Sequence, residues 1–177
     1  MPLPLNVGNK KYSVAERLNM KQLDLISVTA TTDAETIGDN KVIAQSIEIP
    51  YATSVSGGVS TIKSVTVLDE VATGPAIDIV FSSSSSAITQ DEGKAVGEDV
   101  DDLDTVFESA LGVVSLAAGD YTDLFDAKVG TKSNIDLVIQ SAATSSSIYM
   151  HIINRSGGNW VATATTNMVV KVGILKD

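Results

Sequence analysis

"KVIAQSIEI", Lys41–Ile49, is the stretch whose reading decides the fold. Ile43, Gln45 and Ile47 fall on one side of a period of two, and Val42, Ala44 and Ser46 on the other. A helix places its apolar residues three and four apart, whereas strict alternation in a β-branched run belongs to a strand. The same period recurs on both sides of it. "LDLISVTAT" sets Leu23, Leu25 and Ser27 against Ile26 and Val28. "STIKSVTVL" places Ile62 opposite Lys63 and runs on through Val65, Thr66 and Val67. "AIDIVF" aligns Ile77, Ile79 and Phe81, and "NIDLVIQSA" aligns Ile135, Leu137 and Ile139. "SIYMHIIN" and "NMVVKVGIL" complete the set.

Turn residues separate these runs. "SVSGGVS", "TGPA", "VGTKSN" and "RSGGNW" supply Gly, Pro, Asn and Ser where a chain reverses. The intervals are too short for the crossover helices of a parallel sheet. Seven or eight strands therefore form an all-β, antiparallel β-sandwich or jelly roll over residues 23–177. The exception is "DVDDLDTVFESALG", where Leu103, Val106, Phe107, Ala110 and Leu111 share a helical face. Asp101 or Asp102 would cap that short helix and Gly112 would end it. "FSSSSSAI" reads as a loop or a polar continuation of an edge strand.

Residues 1–22 read as an N-terminal arm. "MPLPL" is extended, because Pro disfavours helix in itself and in its predecessor. Ser13 and Glu16 have the capping-box spacing for a short helix over 14–20. The arm either frays or docks on a neighbouring subunit.

Composition excludes several functions. The chain has 177 residues, enough for one domain that buries roughly 70% of its unfolded surface. It has no Cys, so disulfides, thiolate metal sites and cysteine nucleophiles are absent, and its single His rules out a self-contained site of two histidines. With 12 Lys and Arg against 22 Asp and Glu the net charge is −10, which repels phosphate backbones and argues against nucleic-acid binding. No apolar run reaches the ~20 residues of a membrane-spanning helix. The two early prolines do not suit a signal peptide, so the chain is expected to fold without export.

No chemistry-bearing motif stands out. There is no Gly-x-Ser-x-Gly elbow and no phosphate-binding loop; "EGKAVG" and "VGTKS" only approximate one. An EF-hand reading from Asp99 fails where Leu103 and Asp104 stand. A looser calcium site on Asp99, Asp101 and Asp102 is outweighed by a solvated helix N-terminus. The expectation is no catalytic residue, no metal and no cofactor. His151, in an apolar strand, reads as a packed or hydrogen-bonded imidazole. Arg155 and Trp160, in "INRSGGNW", have two readings. Either the hairpin packs Trp160 back over the sheet, or both residues anchor a partner, since Trp and Arg dominate interface hot spots.

One resemblance enters on particular segments. "SIYMHIINRSGGNWVATATTNMVVKVGILKD" resembles the C-terminal end of small structural proteins of tailed bacteriophages, with its SxYxxxxNRSGG pattern, its TATT segment and its closing KxGxLxD. "IDIVFSSSSSAIT" and "GVVSLAAGDYTDL" are similar too, so the resemblance spans most of Val42–Asp177. It implies a jelly-roll or sandwich protein of the virion, a head decoration or cement protein on the capsid exterior, made in the host cytoplasm. Its implied partners are the major capsid protein and further copies of itself, often as a trimer, with no nucleic acid or membrane involved. The candidate interface residues are Leu3, Leu5, Tyr12 and Arg17 of the arm, with Arg155 and Trp160. The alternatives are a tail, collar or fibre-associated virion protein, or a carbohydrate-binding β-sandwich, although only 5% of the residues are aromatic.

Overall fold

The computed structural model describes residues 5–7, 10–12, 22–32, 36–88, 108–164 and 168–176. Near the N-terminus, β1 (Leu5–Val7) and β2 (Lys10–Tyr12) form an antiparallel hairpin with Leu5 opposite Tyr12. The helix expected over 14–20 lies outside the described residues, as do Leu3 and Arg17.

The β-branched runs become the long strands: β3 (Gln22–Ala30), β5 (Val42–Ile49), β6 (Val59–Asp69), β7 (Ile77–Ser82), β8 (Ala110–Leu116), β10 (Lys128–Gln140), β11 (Ile148–Asn154) and β13 (Met168–Lys176). Short strands β4 (Thr36–Ile37), β9 (Tyr121–Asp123) and β12 (Trp160–Val161) sit between them. One sheet runs β3-β13-β6-β10-β9 and the other β5-β11-β7-β8, while β12 pairs with β4. Every pairing among the described residues is antiparallel.

The order of the eight long strands carries the topology. The first pairs with the last, β3 with β13, and the second with the second last, β5 with β11. The third and sixth, β6 and β10, pair next, and the middle two, β7 and β8, close the series. That is one long antiparallel hairpin rolled into two sheets, which is a jelly roll. The inner faces meet in one core, with Val65, Val67, Ile139, Val170 and Val172 from the five-stranded sheet. Ile79, Phe81, Leu116, Met150 and Ile152 come from the other. Each fully buried aliphatic or aromatic side chain contributes about 2 kcal/mol of transfer free energy.

The alternation of Lys41–Ile49 holds only in part, and the reason is local. The register of β5 against β11 steps from Ile47–Met150 to Ala44–Ile152, so Gln45 and Ser46 together oppose His151. This is a β-bulge, and Ser46 takes a positive φ of 55° there. A second step, from Ala44–Ile152 to Val42–Ile153, skips Ile43, so Ile43 and Ala44 both enter the main core, and Val42 is buried as well. Val42 packs with Val80, Ile88 and Ile153 on the far side of the four-stranded sheet, where the turn after the serine run folds back over it.

The helix expected across Leu103–Leu111 is corrected at its C-terminal end. Of residues 103–111 the described ones begin at Glu108; Glu108 and Ser109 are helical, and Ala110 and Leu111 open strand β8. Gly112 does not end a helix but lies opposite Phe81 in the β7–β8 ladder. It has φ 155°, and a Cβ built there would stand 2.5 Å from Leu137 Cδ1. The pairing of β-branched Val113 and Val114 with β7 outweighs the helical spacing of the residues before them.

Candidate interaction surface

The side chain with the most bonds in the corner Ile153–Trp160 is Asn154, which is fully buried. Its Nδ2 donates to the carbonyls of Ile37 at 2.9 Å, Gly38 at 3.1 Å and Gly158 at 2.9 Å. Its Oδ1 accepts from Ser156 N at 3.0 Å. Asp39 Oδ1 accepts from Gly157 N at 2.9 Å. These bonds clasp the β4–β5 turn to the β11–β12 corner. Trp160 is 1% exposed and belongs to the main core, so its ring packs within the subunit. Arg155 stays on the surface, where its Nε pairs with Asp78 Oδ2 at 3.2 Å and its Nη1 donates to Asn40 Oδ1. The sequence placed Arg155 and Trp160 together, and the fold separates them into a surface ion pair and a core residue. Of the arm residues, Leu5 and Tyr12 are cross-strand partners in the hairpin.

His151 is completely buried. Its Nδ1 accepts from the bulged Ser46 N–H at 3.1 Å, so the ring proton sits on Nε2, which lies 3.1 Å from Ser82 Oγ. Burial pushes its pKa down to about 4, against a smaller opposing effect from the Ser84 backbone. It is a neutral structural imidazole, as the apolar strand around it implied.

The acidic groups are also engaged in structure. Asp69 ends β6 fully buried, with Oδ1 accepting from Val71 N at 3.1 Å. Its Oδ2 accepts from Thr73 N and Oγ1, both at 2.9 Å, and from Gly74 N at 2.7 Å. Burial, then Asp69 and Asp120, raise the pKa of the adjacent Tyr121 phenol well above its ordinary value. Among the described residues no group of three or more His, Cys, Asp or Glu could hold a metal ion, and Asp99, Asp101 and Asp102 lie outside them.

What the fold does present is exposed apolar surface. Cross-strand register places Leu23, Leu175, Thr61 and Val138 in one row over four strands of the five-stranded sheet. Leu23 is 67% exposed and Val138 62%, and Leu25 beside them is equally open. The β9–β10 turn goes further. Phe125 is 94% exposed at its tip, next to exposed Leu124. Asp123 Oδ1 accepts from Phe125 N at 3.1 Å, and Leu124 N donates to Ala127 O at 2.8 Å. Phe125 has φ 73°, a left-handed conformation that costs a non-glycine residue on the order of 1 kcal/mol. A bulky aromatic at such a position is a marked departure from turn chemistry, which favours Gly, Asn or Asp. "GDYTDLFDAK" gave no sign of it beyond an aromatic set between aspartates.

A second irregularity lies on β10. From Ser133–Ser64 the register jumps to Leu137–Ile62, so Asn134, Ile135 and Asp136 bulge opposite Lys63. Asn134 and Asp136 are left-handed at φ 57° and 53°, and Asp136 pairs with Lys63. The bulge opens a cleft of about 230 Å³ against β8, lined by Val113, Ser115, Lys132, Asn134 and Ile135 among others.

No protein-family model matches the sequence, and no curated protein matches it. Among solved structures, a chain titled Desmodium yellow mottle tymovirus aligns at 11% identity, over 99% of this chain and 91% of that one, with a TM-score of 0.30. At that score the overlay adds nothing to the architecture, which stands on the strand order itself.

Proposed function

We propose that the chain is a structural protein of a virus particle, a decoration or cement protein that binds the outer capsid lattice and stabilises it. One observation carries the reading: a jelly roll offers its apolar surface on an open sheet face, with exposed Leu23, Leu25 and Val138 around half-buried Leu175, and as a protruding turn. Such a surface binds by area and shape, as a lattice contact requires, and many weak copies gain strength through multivalency. The resemblance of Val42–Asp177 to tailed-phage structural proteins supports the same reading. In it the partners are the major capsid protein and further copies of this chain, as a homo-oligomer such as a trimer. The arm residues Leu3, Leu5, Tyr12 and Arg17, together with Arg155, make lattice contacts. The role is not enzymatic, and the protein is made in the host cytoplasm and sits on the capsid exterior.

The test is to add purified protein to particles that lack it. Saturable co-sedimentation at hundreds of copies, with a raised temperature of particle disruption, is expected. No co-sedimentation would refute the proposal, and saturation at a few copies would move the protein to the tail or a vertex.

A further inference from the structure

Two features of the surface carry left-handed backbone, the turn at Phe125 and the β10 bulge at Asn134 and Asp136. Phe125 is a single aromatic ring held outward on a turn, with Asp123 and Asp126 on either side. The cleft between β8 and the β10 bulge has apolar walls in Ile135 and in Val113, which is 55% exposed, with Lys132 at its rim. Its volume of about 230 Å³ falls below the ≈ 300–1,000 Å³ of a drug-sized ligand site. It suits one side chain.

The charges are complementary as well. Lys132 already pairs with Asp120 at 3.1 Å, but its ammonium is close to half exposed and has donors to spare for a second carboxylate. Phe125 cannot serve its own cleft. The stretch of β10 from Lys128 to Ser133 alone spans about 17 Å, and β10 runs away from the turn.

We infer that Phe125 of one copy inserts into the cleft between β8 and the β10 bulge of a second copy, with Asp123 or Asp126 meeting Lys132. Knob and socket are different patches, so the contact is head to tail and builds a ring where the rotation closes. The backbone strain at Phe125 is then the cost of presenting the ring, recovered on assembly. This goes beyond the virion reading and does not depend on it, because solution association decides it.

The experiment is sedimentation velocity over a concentration series on the full chain, on Phe125→Gly, on Val113→Asp and on an equimolar mixture of the two variants. The wild type is expected to associate. Each variant alone stays monomeric, with affinity lowered by at least about tenfold. The mixture gives a dimer and nothing larger, because one intact knob meets one intact socket. Melting temperatures guard against misfolding. Phe125→Gly should melt at or above the wild type, since glycine accepts φ 73° freely. A wild type that stays monomeric throughout, variants that associate like the wild type, or a mixture that stays monomeric would each overturn the inference.

Discussion

Acidification should destabilise this protein well before its carboxylates protonate, and His151 is the reason. In the fold its pKa is pushed down to about 4, because the ring is buried and Nδ1 is already committed to Ser46 N–H. In the unfolded chain a histidine titrates near 6.5. The folded pKa is the lower of the two, so the unfolded state takes up the proton first. The contribution is therefore intact above about pH 6.5 and is lost as the pH falls from there through about 4. The full loss is about 3 kcal/mol, and the part between pH 7.5 and 5 is about 2 kcal/mol. The assay is urea unfolding followed by the fluorescence of Trp160, the only Trp and a buried one. For a urea slope of about 2 kcal/mol/M the midpoint should fall by about 1 M between those two pH values. His151→Gln keeps a hydrogen-bonding side chain but cannot titrate, and it should flatten the dependence. The chain has one His, so its ring resonance can be titrated without ambiguity. A midpoint that does not move above pH 5, or a ring pKa near 6.5 in the folded protein, would refute the reasoning.

Three further outcomes follow from the packing. Trp160→Ala should cost about 3–5 kcal/mol, read by circular dichroism, and Trp160→Phe less, because it also removes an Nε1 that has no partner among the described residues. Gly112→Ala should lower stability by more than about 1 kcal/mol in urea titration, since it meets both an unfavourable φ of 155° and Leu137. Asp69→Asn should cost about 2–3 kcal/mol in the same titration, because an amide NH2 would face donors that the carboxylate now accepts from.

The sequence made the strands legible because burial on one face imposes a period of two. Ile77, Ile79 and Phe81 lie where the alternation puts them, and Leu23 and Leu25 lie on the opposite face from Ile26 and Val28. The bulges were not legible. A bulge needs one residue to leave the ladder, and nothing in "AQSIE" marks Ser46 as that residue before His151 is known to face it. The failed part of the helix reading has the same origin, since Ala110 satisfies a helical spacing but pairs with Ser82 on β7, and Leu111 is the residue bulged out between that pair and Phe81–Gly112. At the surface, Trp160 was open between two roles because an aromatic after a Gly-Gly turn fits both, and only the folded position of β12 buries it. Phe125 went unread because exposure and left-handed strain belong to the fold, and its neighbours spell an ordinary turn.

The most direct test of the proposed virion role is the copy number of this chain in virus particles purified from its source, counted by quantitative mass spectrometry. The account predicts hundreds of copies per particle, as a lattice-binding protein requires. Its absence from the particles would contradict the account.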